Sequence, residues 1–567
     1  MILDTTSCHA RLMRNPIPHL RCVVMIAAVL TAFVLPSTVH AQATPEVLGM
    51  AHTLGVDTDC APTPLGNPLE GSMWNGWGAD ARNTRHQSAD AAGLTAADVE
   101  RLTLKWAYGF TKDQFVSSQP TVVGGRIYIG TGPGGVRALD AETGCEYWRF
   151  SAHAVVRTAI SIGALHGTTP TRYAAYFGDL QGNVYAVDAE TGTHLWTKRA
   201  DVHPYARITG APTLFEGRLY VPVSSLEEAA TASLEYECCT FRGQVVAYDA
   251  TTGDEIWRTY MIEDTPRPTR TSPTGVQFWG PAGAAIWSAP TIDPARGVLY
   301  VATGDAYTEP AADTSDAVVA LDLETGRTVW VQQTTPNDVY VVGCDDETNR
   351  GSHCPEVLGP DYDFGQSPIL RDLPNGRSIL AIGQKSGIGW GMDPDEEGAI
   401  LWQNEVGLGV VNGGLQWGSA ADAEHVYFAN SDITHGPAVA GGLAAVNLET
   451  GQRAWYVRPP AVPCASPNDR RCVQAQSAAV TLIPGVVFSG ATNGIMRAYA
   501  TTDGRILWTQ NTWQDYETVN GVPASGGSLN AGGPTIVNET LYLQSGYAGL
   551  RGGEPGNVLL AFSVPAP

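Results

Sequence analysis

The chain has no C-x-x-C-H motif, so it is not expected to carry a covalently attached c-type haem. Basic residues are scarce, with 34 Lys and Arg against 57 Asp and Glu, and only 16% of the 567 residues are charged. That balance excludes nucleic acid and anionic membrane as expected partners. Long apolar runs are absent beyond the first forty residues, which excludes a membrane span in the body of the protein. A hydrophobic content of 43% excludes a disordered chain and supplies a large core.

The single apolar run, "CVVMIAAVLTAFVL", follows Arg11, Arg14 and Arg21 and precedes small residues in "PSTVHAQA". It is too short to span a bilayer comfortably and has the plan of an export signal, with cleavage expected after Ala41 or Ala43. Removing residues 1–41 takes away three Arg and one Asp. The mature chain then holds 31 basic and 56 acidic side chains, a net charge of −25. Residues 42–70 are read as an N-terminal extension, and the product is expected to be periplasmic or secreted. Its acidity suits a cationic protein partner.

Ten cysteines are present, and Cys8 and Cys22 leave with the signal. The eight that remain in an exported chain are expected to form four disulfides. Proximity suggests Cys344–Cys354 and Cys464–Cys472. Cys238 and Cys239 are adjacent in "EYECCTFRGQ", and Cys60–Cys145 follows by elimination. A neighbour-to-neighbour bond closes almost no loop, so chain entropy does not explain it. Either the pair is accidental, or its shape and stiffness are the useful properties.

Self-similarity is the strongest signal. "VRALDAETGCEYW", "VYAVDAETGTHLW", "VVAYDATTGDEIW", "VVALDLETGRTVW", "GWGMDPDEEGAILW", "LAAVNLETGQRAW" and "MRAYATTDGRILW" each pair a short apolar strand with a polar Gly turn and a strand ending in Trp. The seven Trp are Trp148, Trp196, Trp257, Trp330, Trp402, Trp455 and Trp508. Two further strands, such as "PTVV" and "RIYIGT", precede most copies, which makes four per unit. Trp106 in "LTLKWAY" has no such turn before it, while "PTIV", "TLYLQS" and "NVLLAFSV" lack a final Trp strand. The N-terminal strand therefore completes the last unit. The expected fold is all-β, an eight-bladed β-propeller over residues 71–567, closed so that no sheet edge is exposed. The Trp are read as packing between blades. Insertions before Trp257, Trp330 and Trp402 are expected to crowd one face and build the site.

The repeat, together with "WNGWGADARNTRHQ", "RITGAPT", "YECCTFRG", "GPAGAAIWSAPT", "TGDAYT", "GPDYDFGQSP" and "GQKSG", resembles the pyrroloquinoline quinone (PQQ) alcohol dehydrogenases, in the polyvinyl alcohol dehydrogenase branch. The resemblance spans nearly all of the mature chain. It implies PQQ held with Ca²⁺, with Trp287 stacking on one face of the planar quinone and the Cys238–Cys239 disulfide on the other. It implies Ser225 at the cofactor and Glu228, with Glu227 as the alternative, and Asp305 as cation ligands. Asp305 stands where the wider family has Asn, which either adds a negative charge at the cation or moves the ligand. Lys385 is matched to the cation at the quinone oxygens, and Arg157 and Thr209 to cofactor carboxylate contacts. Asn412 and Trp417 are expected to line the pocket. For the base that takes the alcohol proton, "TTPNDVYVVGC" leaves Asp338 as the only acid, because Val341 replaces the later one; Asp305 is expected to share the role. The function so implied is oxidation of secondary hydroxyls, in polyvinyl alcohol or another alcohol or polyol, with electrons passed to an external cytochrome c. Two alternatives remain: a non-catalytic propeller scaffold in envelope assembly, and a quinoprotein dehydrogenase for another alcohol or a sugar.

Overall fold

The computed structural model of the protein describes residues 60–111, 115–116, 118–132, 134–344, 351, 354–462, 470–548 and 553–565. Eight antiparallel sheets stand around one axis, and the expected propeller is what forms. The first blade is built on Thr121–Val123, Arg126–Gly132, Gly135–Asp140 and Glu146–Ser151, and six more follow in chain order. The eighth takes its first three strands from Thr535–Val537, Thr540–Ser545 and Val558–Ser563. Its outer strand is Thr103–Gly109, paired antiparallel with Val558–Ser563, so the ring closes as expected. No helix among the described residues is long and apolar enough to cross a membrane.

The Trp repeat explains the outer ring. In most copies the turn is closed by an Asp, as where Asp140 Oδ1 accepts from the backbone N–H groups of Glu142 and Thr143; Asn447 takes this place in the sixth copy and Ala500 in the seventh. The following glycine adopts positive φ, which a Cβ would strain. Its bare Cα also receives the Trp of the preceding blade. A Cβ on Gly192 would lie 2.7 Å from the Trp148 ring, and one on Gly253 would lie 2.8 Å from that of Trp196. The indole N–H then donates across the blade boundary, Trp148 to Ala189 O, Trp196 to Ala250 O and Trp257 to Leu323 O, each at 3.1 Å. Trp508 bonds to Leu102 O and so docks the last repeat onto the closing segment.

A second ring lies at the axis. Hydroxyls that open the innermost strands donate to the carbonyl of a proline in the next blade: Ser161 to Pro212, Thr213 to Pro290, Thr481 to Pro534, and Thr535 back to Pro120. The stretch "WNGWGADARNTRHQ" crosses this inner ring. Asn75 bonds Ile162, Asn83 bonds Thr291, Arg85 bonds Val480 and Gln87 bonds Ile536. Arg85 is fully buried over the Trp77 ring, 4.7 Å from its centroid. Burial pushes its pKa down, to about 9.

Strand order also divides the molecule into two faces. The D-x-x-T-G turns and their variants join the third and fourth strands of the first seven blades and lie on one face. The loops after second and fourth strands lie on the other, and these carry the insertions.

Candidate active site

Loops on that second face converge on a cavity of about 310 Å³. It collects Arg157, Thr209, Ser225, Glu228, Trp287, Asp305, Lys385, Asn412 and Trp417, all of them expected, and adds Tyr307, Tyr340, Asp361, Asp363 and Gln416. Each position follows from the blade architecture. Asp305 and Lys385 follow second strands, which end at Ala302 and Gly383. Trp287, Asp361 and Trp417 lie in the connections between consecutive blades.

Trp287 forms an aromatic wall. Its ring meets Trp417 edge-on at 5.2 Å, and the Lys385 ammonium lies 5.4 Å from its centroid. Gly365 makes room for it: a Cβ there would sit 2.3 Å from the indole. The Arg157 guanidinium lies over the Trp417 ring at 4.6 Å, and Thr209 exchanges a 2.6 Å hydrogen bond with Ser224.

Opposite charges are concentrated beyond this wall. Lys385 Nζ donates to Asp361 Oδ1 at 2.7 Å and to Asp363 Oδ2 at 2.8 Å. Asp363 Oδ1 accepts the backbone N–H of Asp305 at 2.7 Å. Asp305, Asp361 and Asp363 each place an oxygen within 4.8 Å of the others. Burial raises the pKa of Asp305 and Asp361, and the neighbouring carboxylates raise them further. Burial works against the Lys385 charge, but Asp361, Asp363 and Glu228 hold its pKa well above the ordinary value. One ammonium does not balance four carboxylates in a low-dielectric pocket. Asp305 Oδ2 is buried without a hydrogen-bond partner, as are Gln416 Oε1 and Trp417 Nε1. A buried polar atom of this kind is costly unless a ligand meets it.

Three expectations need correction or refinement. Asp338 does not line the cavity. Its carboxylate turns inward and accepts the backbone N–H groups of Asp361 at 3.1 Å and Tyr362 at 2.8 Å, so it holds the loop that carries two other aspartates. The acids that this connection brings to the cavity are Asp361 and Asp363, 23 and 25 residues further on in "GPDYDFGQSP". The signal was the D-x-D spacing, which brings two carboxylates to one Lys. Cys238 and Cys239 do form the vicinal disulfide, but they are buried in a hydrophobic cluster with Phe241, Phe278 and Tyr307, and only Tyr307 of these lines the cavity. Glu227 also points away from the cavity and is fully buried.

Cys60–Cys145 and Cys344–Cys354 pair as expected. Cys472 is disulfide-bonded, and its expected partner Cys464 lies outside the described residues.

A profile described as glucose/ethanol/alcohol dehydrogenase, beta-propeller domain, matches residues 74–345. One described as outer membrane protein assembly factor BamB matches residues 391–558. A polyvinylalcohol dehydrogenase of Pseudomonas sp. is 44% identical over 512 residues, 89% of this chain and 78% of the relative. That of Sphingopyxis sp. strain 113P3 is 40% identical over 517 residues, with the same two shares. Among solved structures, quinohemoprotein alcohol dehydrogenase ADHIIG of Pseudomonas putida HK5 superposes with a TM-score of 0.64 at 20% identity, covering 88% of this chain and 82% of that one. It shares the fold.

Proposed function

The chain belongs to the polyvinyl alcohol dehydrogenases within the PQQ-dependent alcohol dehydrogenases, and from that premise we propose that it oxidises secondary hydroxyls to ketones with PQQ and a hard divalent cation, calcium. The substrate class is polyvinyl alcohol or a related polyol. The observation that carries the reading is the convergence of Asp305, Asp361, Asp363 and Glu228 on one cavity with Lys385 beside Trp287.

The residues fit both groups. An all-oxygen carboxylate set suits calcium, and the unpartnered Asp305 Oδ2 is the kind of atom a cation would satisfy. Glu228 and Asp305 would hold it, with Asp363 beside them. Trp287 offers a flat face for the quinone, and Arg157, Thr209 and Lys385 offer donors for its oxygens. When bound, PQQ supplies a carbonyl that accepts hydride, polarised by the cation.

The protein's own work is positioning and proton transfer. Asp363 has both oxygens engaged, by the Asp305 N–H and by Lys385. Asp361 is bonded to Lys385 through Oδ1 and faces the cavity, so its carboxylate is the base that takes the hydroxyl proton. Its raised pKa brings its basicity closer to that of the task. Lys385 holds Asp361 in place and stabilises negative charge that develops on the reacting oxygens. The two reducing equivalents then leave one at a time to a separate cytochrome c, a partner favoured by the net charge of −25 on the chain without residues 1–41. The signal-like leader supports a periplasmic or secreted location for the reaction.

The test is dye-linked oxidation by purified protein with and without added PQQ and Ca²⁺, on polyvinyl alcohol, a small secondary alcohol, a primary alcohol and a sugar. Turnover that needs both additions and favours the secondary alcohols is expected. Absence of PQQ binding and of turnover on every substrate would overturn the reading and favour a scaffold, the function named in the profile matched by residues 391–558.

A further inference from the structure

We propose that Glu227 and the Cys238–Cys239 loop form a positioning device for Glu228 and thereby set the cation affinity of the site. The inference rests on the reading of Glu228 and the aspartates as a cation site. Glu227 and Glu228 open a helix of only four residues, Glu227–Ala230, with Leu226 as an N-cap that makes no side-chain hydrogen bond. So short a helix does not hold itself in place. Successive helical side chains diverge by about 100°, so one acid enters the cavity and the other is driven into the protein. Glu228 lines the cavity and Glu227 is fully buried.

A buried carboxylate must be satisfied, and this one is tied chiefly to the loop at residues 236–241. Its Oε1 accepts from Tyr236 Oη at 2.8 Å and from Thr240 N at 2.9 Å, and its Oε2 accepts from Phe241 N at 2.8 Å. His203 Nε2 stands 3.3 Å from Oε1. Two of the donors are backbone N–H groups just after Cys239. Their direction is fixed by the disulfide and by the exchange with Trp279, whose N–H donates to Cys238 O at 2.6 Å. The rigid pair therefore presents donors to Glu227, and Glu227 anchors the turn that aims Glu228. On the other side, Val342 N donates to Glu228 O, which links this turn to the segment just beyond Asp338. The adjacent cysteines thus have a use that requires no contact with the cofactor: stiffness at the base of a ligand-bearing turn.

The test is titration of the purified protein with Tb³⁺, read by luminescence sensitised through the nearby Trp and Tyr, and then displacement by Ca²⁺. Glu227→Gln and the double variant Cys238→Ala/Cys239→Ala keep every carboxylate of the cavity. Both are expected to weaken Tb³⁺ binding about 10- to 100-fold, the usual cost of losing a group that orients a ligand. Tyr236→Phe, which removes one donor, is expected to weaken it several-fold and keeps the test alive where the other variants do not fold. Glu228→Gln is the positive control. Affinity within twofold of wild type in folded Glu227→Gln, or in Tyr236→Phe should the former not fold, would overturn the proposal. Wild-type protein that binds no Tb³⁺ would instead overturn the cation-site reading beneath it.

Discussion

The two candidates for the catalytic base, Asp361 and Asp338, are separable by one pair of substitutions. Asp361→Asn removes the cavity carboxylate that is bonded to Lys385 through Oδ1, whereas its neighbour Asp363 has both oxygens engaged. Loss of a general base costs about 100- to 10,000-fold in rate, equivalent to about 3–5 kcal/mol of barrier. Asp338→Asn acts differently. The carboxylate accepts two backbone N–H groups. An Asn keeps one acceptor and turns an NH₂ toward the other donor, so about 1.5–3 kcal/mol of charge-assisted hydrogen bonding is at stake. A propeller of about 500 residues unfolds with an entropy near 1 kcal/mol/K, so that loss lowers Tm by about 1.5–3 °C. A loosened Asp361 loop slows turnover by about tenfold through misplacement, short of abolishing it. Steady-state kinetics with PQQ and Ca²⁺ saturating, beside scanning calorimetry, gives both numbers for both variants. An Asp338→Asn enzyme as inactive as the Asp361 variant with an unchanged Tm would refute the assignment. So would an Asp361→Asn enzyme that keeps more than a tenth of its activity.

Further outcomes follow from the same structure. Lys385→Met removes the ammonium between Asp361 and Asp363, and stranding buried carboxylates costs about 3–5 kcal/mol; added Ca²⁺ is expected to raise the Tm of this variant more than that of wild type, which differential scanning in a Ca²⁺ series measures. Gly253→Ala places a Cβ 2.8 Å from the Trp196 ring at a φ of 72°, so a loss of about 1–3 kcal/mol in urea unfolding is expected, with activity retained at 25 °C. For Glu146, burial opposes ionisation, but Arg137, Arg149 and the Tyr108 hydroxyl hold its carboxyl below the ordinary 4.5. A lowered folded pKa stabilises above pH 4.5 and loses that contribution as acid protonates the folded form. Wild-type Tm is therefore expected to fall more steeply than that of Glu146→Gln on acidification from pH 5 to 3, and parallel curves would refute the network.

The ring was legible because its logic is local. In the repeated units the same eleven or so residues encode the turn-closing Asp (Asn447 in the sixth copy, Ala500 in the seventh), the Gly that tolerates positive φ and bares its Cα, and the Trp that lands on the neighbouring blade. Every signal lies within one repeat of the next, so periodicity exposes it. The site obeys a different geometry. In a closed propeller all loops of one face point toward the same axis, so sequence specifies the face but not the distance from the axis. Asp338 and Asp361 belong to the same inter-blade connection and reach the same region. Which of them meets the cavity is decided by a pair of backbone N–H groups that turn one carboxylate inward and leave the other exposed to it. Glu227 and Glu228 divide in the same way, one residue apart. In both cases the acid that was lost to the cavity has a partner of its own: Asp338 accepts the backbone N–H of Asp361, and Glu227 ties the turn that carries Glu228 to the loop at Tyr236–Phe241. Paired acids in the insertions of this fold are therefore best read as a ligand and its anchor, and the anchor is recognised by backbone donors that local sequence does not display.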